Sequence, residues 1–242
     1  MEKLVYVIWK EPEEKASAIR ETLLGDVAGE LRRAGTHGLS VQLADLAEDP
    51  RIPPGNLYGD GPRIAASVSL WLDSLDTRKG IEALLEPLGT GLAGYLVTES
   101  LVQAQQRDWP DGERSPGLTQ LVGFPQPARL SDEAFFHAWH DRFSPFSFEF
   151  HPLRTQYVRN VVARVLTPGA PPWRAIVEER WAQVEDWTDL SRRYASQELM
   201  DEVAKVRESF LDPEGIALTV TSEWILQTTT RTPAPESSAP TS

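Results

Sequence analysis

The chain has 242 residues, a formal net charge of −12, 40% hydrophobic and 25% charged residues, and no cysteine. This length and composition are typical of one large or two ordinary globular domains, and eight Trp and eight Phe can fill a sizeable core. The negative charge argues against nucleic acid and anionic membrane as partners, and the lack of cysteine excludes disulfides, thiol nucleophiles and thiolate metal sites.

The first residues do not have the pattern of a targeting segment. One short apolar run turns acidic after Lys10, so the basic start and the long apolar core of a signal peptide are absent. No stretch of 18 uncharged apolar residues occurs in the sequence, which argues against a membrane-spanning helix. We therefore expect a soluble cytoplasmic protein.

The first part of the chain alternates between strand and helix patterns. Short β-branched and aromatic runs predict strands, and apolar residues spaced by three and four predict helices. The predicted strands are 3–10, 39–46, 63–72 and 91–101, the predicted helices are 13–33 and 75–88, and 48–62 is a predicted loop. This β-α-β-β-α-β order is typical of a ferredoxin-like unit.

A glycine pattern at 89–94 matches G-x-G-x-x-G literally. The dinucleotide fingerprint needs a strand before it and a helix after it, so that pyrophosphate lies at a helix N-terminus. Here a predicted helix precedes the glycines and a predicted strand follows them. We therefore interpret them as a helix stop and a turn, and expect no nucleotide cofactor.

The second part of the chain repeats the same order of elements. A polar segment, 103–117, contains two Pro and two Gly and predicts a linker. Ser131 is a predicted helix cap. The predicted strands are 118–124, 155–166, 174–181 and 215–226, the predicted helices are 131–143, 186–194 and 197–211, and 227–242 is a predicted disordered tail, rich in Thr, Pro and Ser.

Residues 1–102 and 118–226 therefore form two candidate repeats, with Trp71 and Trp181 at matching places. A four-stranded antiparallel sheet with helices on one face leaves its other face bare, and a second sheet can cover that face. We predict an α+β protein in which two ferredoxin-like repeats close into a barrel with the helices outside.

Short motifs in the second half occur in an order and spacing that resemble a known family. They are Leu130-Ser131, Phe136, Trp139, Ser144-Pro145, Tyr157-Val158-Arg159-Asn160, Trp181 and Phe210-Leu211-Asp212. Over about 118–226 the chain resembles the EthD domain of the dimeric α+β barrel superfamily, whereas the first half matches only in element order. Members usually pair two such domains. The resemblance therefore implies tandem ferredoxin-like repeats that form an intramolecular dimeric α+β barrel.

The resemblance also implies a function. Family functions concern small aromatic or polyketide-like compounds and accessory roles in their degradation. One position departs from the family pattern, because Phe143 stands where a relative usually has a histidine, four residues after the helix tryptophan. Either His140 or His151 replaces that proton-transfer group, or the chemistry has been lost.

Two candidate catalytic residues meet at a helix–strand junction. Helical spacing places Phe136, Trp139 and Phe143 on one apolar face and His140 at its edge. His140 is a candidate acid or base, or it simply bonds a carbonyl. Tyr157 begins a strand and is either its partner in proton transfer to a phenolic or enolic substrate, or a tyrosine that packs on the helix.

The predicted binding site includes further residues of the same junction. Trp139 is a candidate wall of the cleft, and strand alternation places Arg159 on the same face as Tyr157. His151 lies at the cleft mouth or in an ordinary loop, and Trp181 lines the cleft or belongs to the core. The full set of predicted binding residues is Trp139, Phe143, His151, Arg159 and Trp181.

Other chemistries have weaker support. His137, His140 and Asp141 lack the His-Glu-x-x-His arrangement of a zinc site, so we interpret them as a solvated helix face and expect no metal. The acidic pair Glu178-Glu179 is interpreted as a surface feature. Haem binding, known in the wider superfamily, would require an unhindered histidine over an apolar pocket.

The leading hypothesis is therefore an EthD-like protein without a cofactor. It would bind or transform a hydrophobic small molecule in a cleft beside the 131–143 helix, by acid–base chemistry if it is an enzyme. The alternative is a non-catalytic accessory or structural barrel whose pocket is filled by side chains. Whether two barrels associate is left open by the sequence.

Overall fold

The computed structural model describes residues 1–52 and 62–229, in which eight strands form one barrel. The first four strands lie in the first half of the chain and the other four in the second half. They are β1 (Glu2–Lys10), β2 (Leu39–Leu43), β3 (Arg63–Leu72), β4 (Gly91–Gln103), β5 (Leu118–Phe124), β6 (Arg154–Val165), β7 (Ala175–Trp181) and β8 (Ala217–Gln227).

The barrel is closed and every pair of neighbouring strands is antiparallel. The order around it is β1-β3-β2-β8-β5-β7-β6-β4. Within the first half the neighbours are β4-β1-β3-β2, and within the second half they are β8-β5-β7-β6. Two seams join the halves, one between β2 and β8 and one between β4 and β6. The predicted closed barrel of a mixed α and β protein is thereby confirmed.

Helices cover the outside of the barrel. The first half contributes α1 (Arg20–Thr22), α2 (Ala28–Arg33) and α3 (Arg78–Leu85), with a π-helical turn at Leu23–Val27 between the first two. The second half contributes α4 (Asp132–Phe136), α5 (Ser144–Phe150), α6 (Glu185–Thr188), α7 (Leu190–Arg193) and α8 (Gln197–Glu208). Among the residues that the structure describes, no helix has both the length and the apolar character needed to cross a bilayer.

Strand alternation separates an outer layer from the barrel interior. In β1, Leu4, Tyr6 and Ile8 pack in the cluster that includes the helices of the first half. Val5 and Val7 belong to a separate cluster built from strand residues of both halves. Successive side chains of a strand point to opposite faces, so this second cluster lies inside the barrel.

The helix predicted at 131–143 begins as expected but is longer. The Ser131 hydroxyl accepts the Ala134 N–H, which confirms the predicted cap. The helical segment then runs on through Ser144 and Pro145 and ends at Phe150.

A change in hydrogen-bond register explains why proline does not stop this helix. Residues His137–Phe143 form a π-helical turn, and the Ser144 N–H donates to the Trp139 carbonyl five residues earlier. Proline interrupts an α-helix because it lacks an N–H and collides with a preceding carbonyl. Pro145 follows the wide turn directly, where the regular α-helical register is already broken.

Several other boundaries differ from the predictions. Strand β2 ends at Leu43 instead of 46, because a 3-10 turn follows it. The helix predicted at 186–194 is split at Asp189, whose backbone is extended. Gln227, predicted to begin the tail, is part of β8, and its amide donates to the Thr36 carbonyl. The predicted tail at 230–242 and most of the predicted loop, 53–61, lie outside the described residues.

Trp173 closes one end of the barrel interior. Its indole stacks on Tyr95 with 5.5 Å between ring centroids, lies 5.8 Å from the Trp9 ring, and donates a hydrogen bond to the Gly215 carbonyl. The six-membered ring of the indole lies directly on Gly123 of β5, where a Cβ would overlap it. A glycine is required there because only a hydrogen atom fits beneath the tryptophan.

This contact predicts the effect of adding one methyl group. Gly123→Ala should lower the free energy of unfolding by about 1–3 kcal/mol, the usual cost of overpacking a core. Urea unfolding followed by circular dichroism measures the change. Gly80→Ala is the matched control, because a Cβ at this position of α3 meets open space and glycine is disfavoured inside helices. Equal stability of Gly123→Ala and the wild type would contradict the contact.

Candidate functional site

A cleft of about 90 Å³ lies between the outer face of the second-half strands and the helices that cover them. Aromatic rings form much of its wall, and they contact one another. The Phe124 ring meets Trp139 edge-on at 5.3 Å, and Phe143 lies 5.1 Å from Phe210. The cleft is therefore a narrow space between rings that are already packed together.

The π-helical turn decides which rings reach this cluster. Helical spacing predicted Phe136 on the buried face with Trp139 and Phe143. Trp139 and Phe143 are buried, but Phe135 is the fully buried ring and Phe136 is only half-buried. A π-helical turn contains more residues than an α-helical turn, so side chains four residues apart lie on the same buried face. Phe135 therefore takes the fully buried position, and Phe136 packs at the edge of the same cluster.

One end of the cleft is polar and buried. Glu179 of β7 lies there, with one carboxylate oxygen 2.6 Å from Arg154 Nη1 and the other accepting a 3.0 Å hydrogen bond from the Gln120 amide. Burial opposes ionisation of this carboxyl, but the Arg154 charge, its hydrogen bond and the other nearby positive groups together outweigh burial and hold the pKa of Glu179 below its usual range. The cleft thus ends on a buried carboxylate with a fixed partner.

Arg193 extends this polar end. Its Nη2 donates to the Gln120 side-chain oxygen at 2.7 Å, and that oxygen also accepts the Trp187 indole N–H at 2.9 Å. The guanidinium lies 4.3 Å from the Trp187 ring centroid. Its Nε has no hydrogen-bond partner in the described part of the chain. A chain of contacts therefore links Arg154, Glu179, Gln120 and Arg193 along one end of the cleft.

Tyr157 contributes a hydroxyl that is already shared. It accepts the Trp139 indole N–H at 3.3 Å and is hydrogen-bonded to the Ser144 hydroxyl at 3.1 Å. Arg159 donates to the same Ser144 oxygen at 2.9 Å. Burial raises the pKa of Tyr157, and the Glu179 charge raises it further. Tyr157 is therefore a neutral hydrogen-bonding group that lines the cleft, with Arg159 behind it.

His140 lies beside the cleft wall without lining the cleft. Its ring is half-buried, 4.4 Å from the Trp139 ring and 5.0 Å from Phe136. Burial and the Arg159 charge lower its pKa to about 4, so the ring is neutral at neutral pH. Its Nε2 is buried and has no partner among the described residues. Trp139 contacts both His140, through its ring, and the Tyr157 hydroxyl, through its indole N–H.

His151 and Trp181 lie behind the cleft. The His151 ring is nearly fully buried, its Nδ1–H donates to the Arg193 carbonyl at 2.9 Å, and it meets the Trp181 ring edge-on at 5.4 Å. Burial lowers the pKa of His151 to about 3. Trp181 is fully buried in a cluster with Trp187 and faces the helices, whereas Trp71 borders a cavity inside the barrel. The two tryptophans at matching places thus point to opposite faces.

Neither a metal nor haem fits these residues. His137 and Asp141 form an exposed pair, 3.2 Å apart, and the described residues contain no group of three metal-binding side chains. Haem requires a histidine facing a space as large as a porphyrin. The cleft is far smaller than that, and the rings of His140 and His151 do not line it.

The most polar residues of the site escaped sequence analysis. The interpretation of Glu178-Glu179 as a surface pair was wrong, because both side chains are buried, on opposite faces of β7. A signal was present, since a strand rich in Ile, Val and Trp predicts burial on both faces. Arg193 and Gln120 carried no such signal, because they lie 73 residues apart and meet only in the folded chain.

The low pKa of His151 predicts a loss of stability in acid. The unfolded ring binds a proton near its ordinary pKa of 6.5, whereas the folded protein keeps it neutral down to about 3. Stability is therefore fully present above 6.5 and falls as the pH drops towards 3. His151→Gln should reduce the slope of unfolding free energy against pH by up to about 1.4 kcal/mol per pH unit.

Urea unfolding at several pH values between about 7 and about 4.5 measures this slope. The control is His137→Gln, which removes an exposed histidine and gives the slope with which that of His151→Gln is compared. An unaltered slope in His151→Gln would contradict the assignment.

No family model matches the chain, and no curated protein matches it in sequence. Solved structures do match. The structure of an anthrone oxidase-like protein has a TM-score of 0.60 and 11% identity, covering 96% of this chain and 95% of that one. A chlorite dismutase variant from Candidatus Nitrospira defluvii has a TM-score of 0.49 and 11% identity, with 91% of each chain covered.

A protein from Shewanella oneidensis described as a Dyp-type peroxidase has a TM-score of 0.46 and 9% identity, with 91% of this chain and 92% of that one covered. At such low identity a match concerns the fold alone, and no activity of these proteins is assigned to this chain. The likeness to the anthrone oxidase-like protein shows that the chain shares the fold of that protein, and in this chain the fold is a closed eight-stranded antiparallel barrel covered by helices.

Proposed function

We propose that the cleft beside the Asp132–Phe150 helical segment binds a hydrophobic, aromatic small molecule. The observation that carries this proposal is the combination of a ring-lined space with charged groups at one end, the buried Glu179 and the partly buried Arg193. Ligand sites commonly join apolar walls to a few fixed polar groups that orient the ligand. A flat ring would lie against Trp139 and Phe143.

The polar end favours a ligand with an oxygen atom. Arg193 Nε lacks a partner in the described part of the chain, and an unsatisfied buried donor costs about 1–3 kcal/mol. A phenolic, enolic or carbonyl oxygen would accept that hydrogen. Tyr157 offers a second contact, and Arg159, Trp181 and His151 would support the site from behind.

The size of the cleft limits what it can hold. An apolar cavity of about 150 Å³ is known to bind benzene, so a space of about 90 Å³ requires one wall to move. Phe143 is the natural gate, because it lines the cleft and rests on Phe210 of the segment after α8. It also stands where EthD-like relatives usually have histidine.

Binding without catalysis is supported better than proton transfer. A proton-transfer pair of His140 and Tyr157 would need both groups at the ligand. His140 is outside the lining, and the Tyr157 hydroxyl already contacts Trp139 and Ser144. We therefore favour the accessory role, with a bound compound and no reaction, over an acid–base enzyme.

We also propose that the chain arose as tandem EthD-like repeats, 1–102 and 118–226, joined by 103–117. The support is the strand order, which runs fourth, first, third, second in both halves. That order, with one helical segment after the first strand and another after the third, is the ferredoxin-like arrangement. EthD-like membership of the second half rests on the motifs named above.

Binding of 2-naphthol and naphthalene tests the proposed site. Both probes are flat aromatic rings, and only 2-naphthol carries a hydroxyl group. Calorimetric titration should show 2-naphthol binding more tightly by about tenfold, equivalent to about 1.4 kcal/mol, because its oxygen reaches the polar end. Anthrone, a fused aromatic ketone suggested by the name of the structural neighbour, serves as a larger probe.

Phe143→Leu should tighten 2-naphthol binding by about tenfold, because it removes ring atoms from the cleft. Phe146→Leu is the matched control, since this ring packs on Phe150 in the same helical segment and does not line the cleft. If neither the wild type nor Phe143→Leu binds 2-naphthol saturably, the cleft is a filled core and the structural alternative holds.

A further inference from the structure

A second and larger cavity lies inside the barrel. Its volume is about 430 Å³, within the range of about 300–1,000 Å³ that small-molecule sites occupy. We name it the barrel chamber; its lining includes Lys3, Trp71, Trp109, Val158, Glu178 and Glu223. It lies on the opposite face of the sheet from the cleft of the proposed function.

The chamber occupies the polar end of the interior. At the other end Trp173, Tyr95 and their apolar neighbours fill the barrel. Towards the chamber the side chains that point into the barrel are polar. In β1, for example, Val5 and Val7 lie in the apolar part and Lys3 lines the chamber. The interior therefore has a closed apolar floor and an open charged end.

Glu178 shares the Lys3 ammonium with a second carboxylate, Glu99. The Lys3 ammonium lies 2.6 Å from Glu99 and 3.8 Å from Glu178, so it binds Glu99 directly and Glu178 only at a longer distance. The two oxygens of Glu178 instead accept neutral amide hydrogens, from Asn160 at 2.9 Å and from Gln42 at 2.6 Å. A buried carboxylate held mainly by amides retains most of its negative field.

Gln42 adds an unsatisfied acceptor next to this carboxylate. Its side chain is 2% exposed, and its Nε2 is committed to Glu178. Its Oε1 is buried with no hydrogen-bond partner among the described residues. Gln42 and Ser40 lie on the same face of β2, and Ser40 lines the chamber. The Glu178 carboxylate therefore lies next to a second acceptor, the Gln42 oxygen, that has no donor among the described residues.

Other groups around the chamber are already paired. Glu223 lies 2.9 Å from Arg180. Burial raises the pKa of Glu223, Arg180 opposes that rise, and the Glu178 charge adds to it. Arg107 at the rim is paired with Asp111. Among the carboxylates that line the chamber, Glu178 therefore lies farthest from its cation, at 3.8 Å.

Two indoles supply apolar walls. Trp71 lies 4.9 Å from the Lys3 ammonium, and Trp109 lies 5.3 Å from the Arg180 guanidinium. Trp109 belongs to the segment between β4 and β5, and its indole N–H donates to Ser115 at 3.1 Å. Indole faces attract cations and the apolar groups attached to them.

We propose that the barrel chamber binds a small organic ammonium ion. Its N–H donors would meet the Glu178 carboxylate, and its apolar body would lie against Trp71 and Trp109. This site is independent of the aromatic cleft on the other face of the sheet.

Calorimetric titration with benzylamine tests the proposal, with benzyl alcohol as the neutral probe of nearly the same shape. Benzylamine should bind saturably. Benzyl alcohol should bind about tenfold more weakly or worse, because only the amine carries a charge. Equal binding of the two probes, or no binding of benzylamine, would overturn the proposal.

Glu178→Gln removes the charge and preserves the shape of the side chain. We expect it to weaken benzylamine binding by roughly tenfold or more. Glu198→Gln is the matched control, because it removes one exposed charge at the start of α8. An equal effect of both variants would mean that the amine is attracted by the net charge of −12 and not held in the chamber.

A second variant guards against a folding defect in Glu178→Gln. Val158→Phe keeps every charge and fills space in the chamber, so it should abolish benzylamine binding while circular dichroism stays unchanged. Undiminished binding in a folded Val158→Phe would place the amine elsewhere. Phe143→Leu should leave benzylamine binding unchanged, which separates this site from the cleft.

Discussion

This barrel depends on the pairing of three consecutive charged residues in a strand that is buried on both faces. Glu178, Glu179 and Arg180 occupy the middle of β7, all of whose residues are buried. Removing a charge from water costs several kcal/mol, so each of these side chains needs a partner of its own. Alternation turns Glu178 and Arg180 into the barrel and Glu179 towards the helices, and the partners come from other strands. The strand can be buried only when those neighbours are in place.

These partners connect distant parts of the chain. Gln42 and Glu178 are 136 residues apart, and Lys3 and Asn160 are 157 residues apart. Both contacts cross from the first half to the second, so polar bonds join the halves at one end of the barrel. At the other end Trp173 and its neighbours join them by apolar packing. One strand, β7, is therefore the wall between two cavities of different character.

The sequence was informative wherever local pattern decides structure. Strand periodicity located the strands, the Ser131 cap was evident from its side chain, and the helix stop predicted at Gly89 lies directly before β4, although Gly91 and Gly94 belong to that strand. The sequence was not informative where the burial of a side chain depends on a partner far along the chain. The burial of Glu178 and Glu179 depends on side chains far along the chain, and a local window contains no information about them. His151 was predicted at the cleft mouth or in an ordinary loop; it lies between α5 and β6, but a carbonyl 42 residues away holds its ring in the core.

The seam between β2 and β8 has a consequence for the order in which the chain can fold on the ribosome. Strand β2 pairs with β3 on one side, and its other edge is completed by β8, which is made much later. Until β8 emerges, a nascent first half carries an open strand edge of the kind that recruits other chains. Such long-range closure also slows folding, because chain entropy is lost before the pairing is gained. The interval between the synthesis of these two strands is thus the period in which the growing chain most needs chaperone protection.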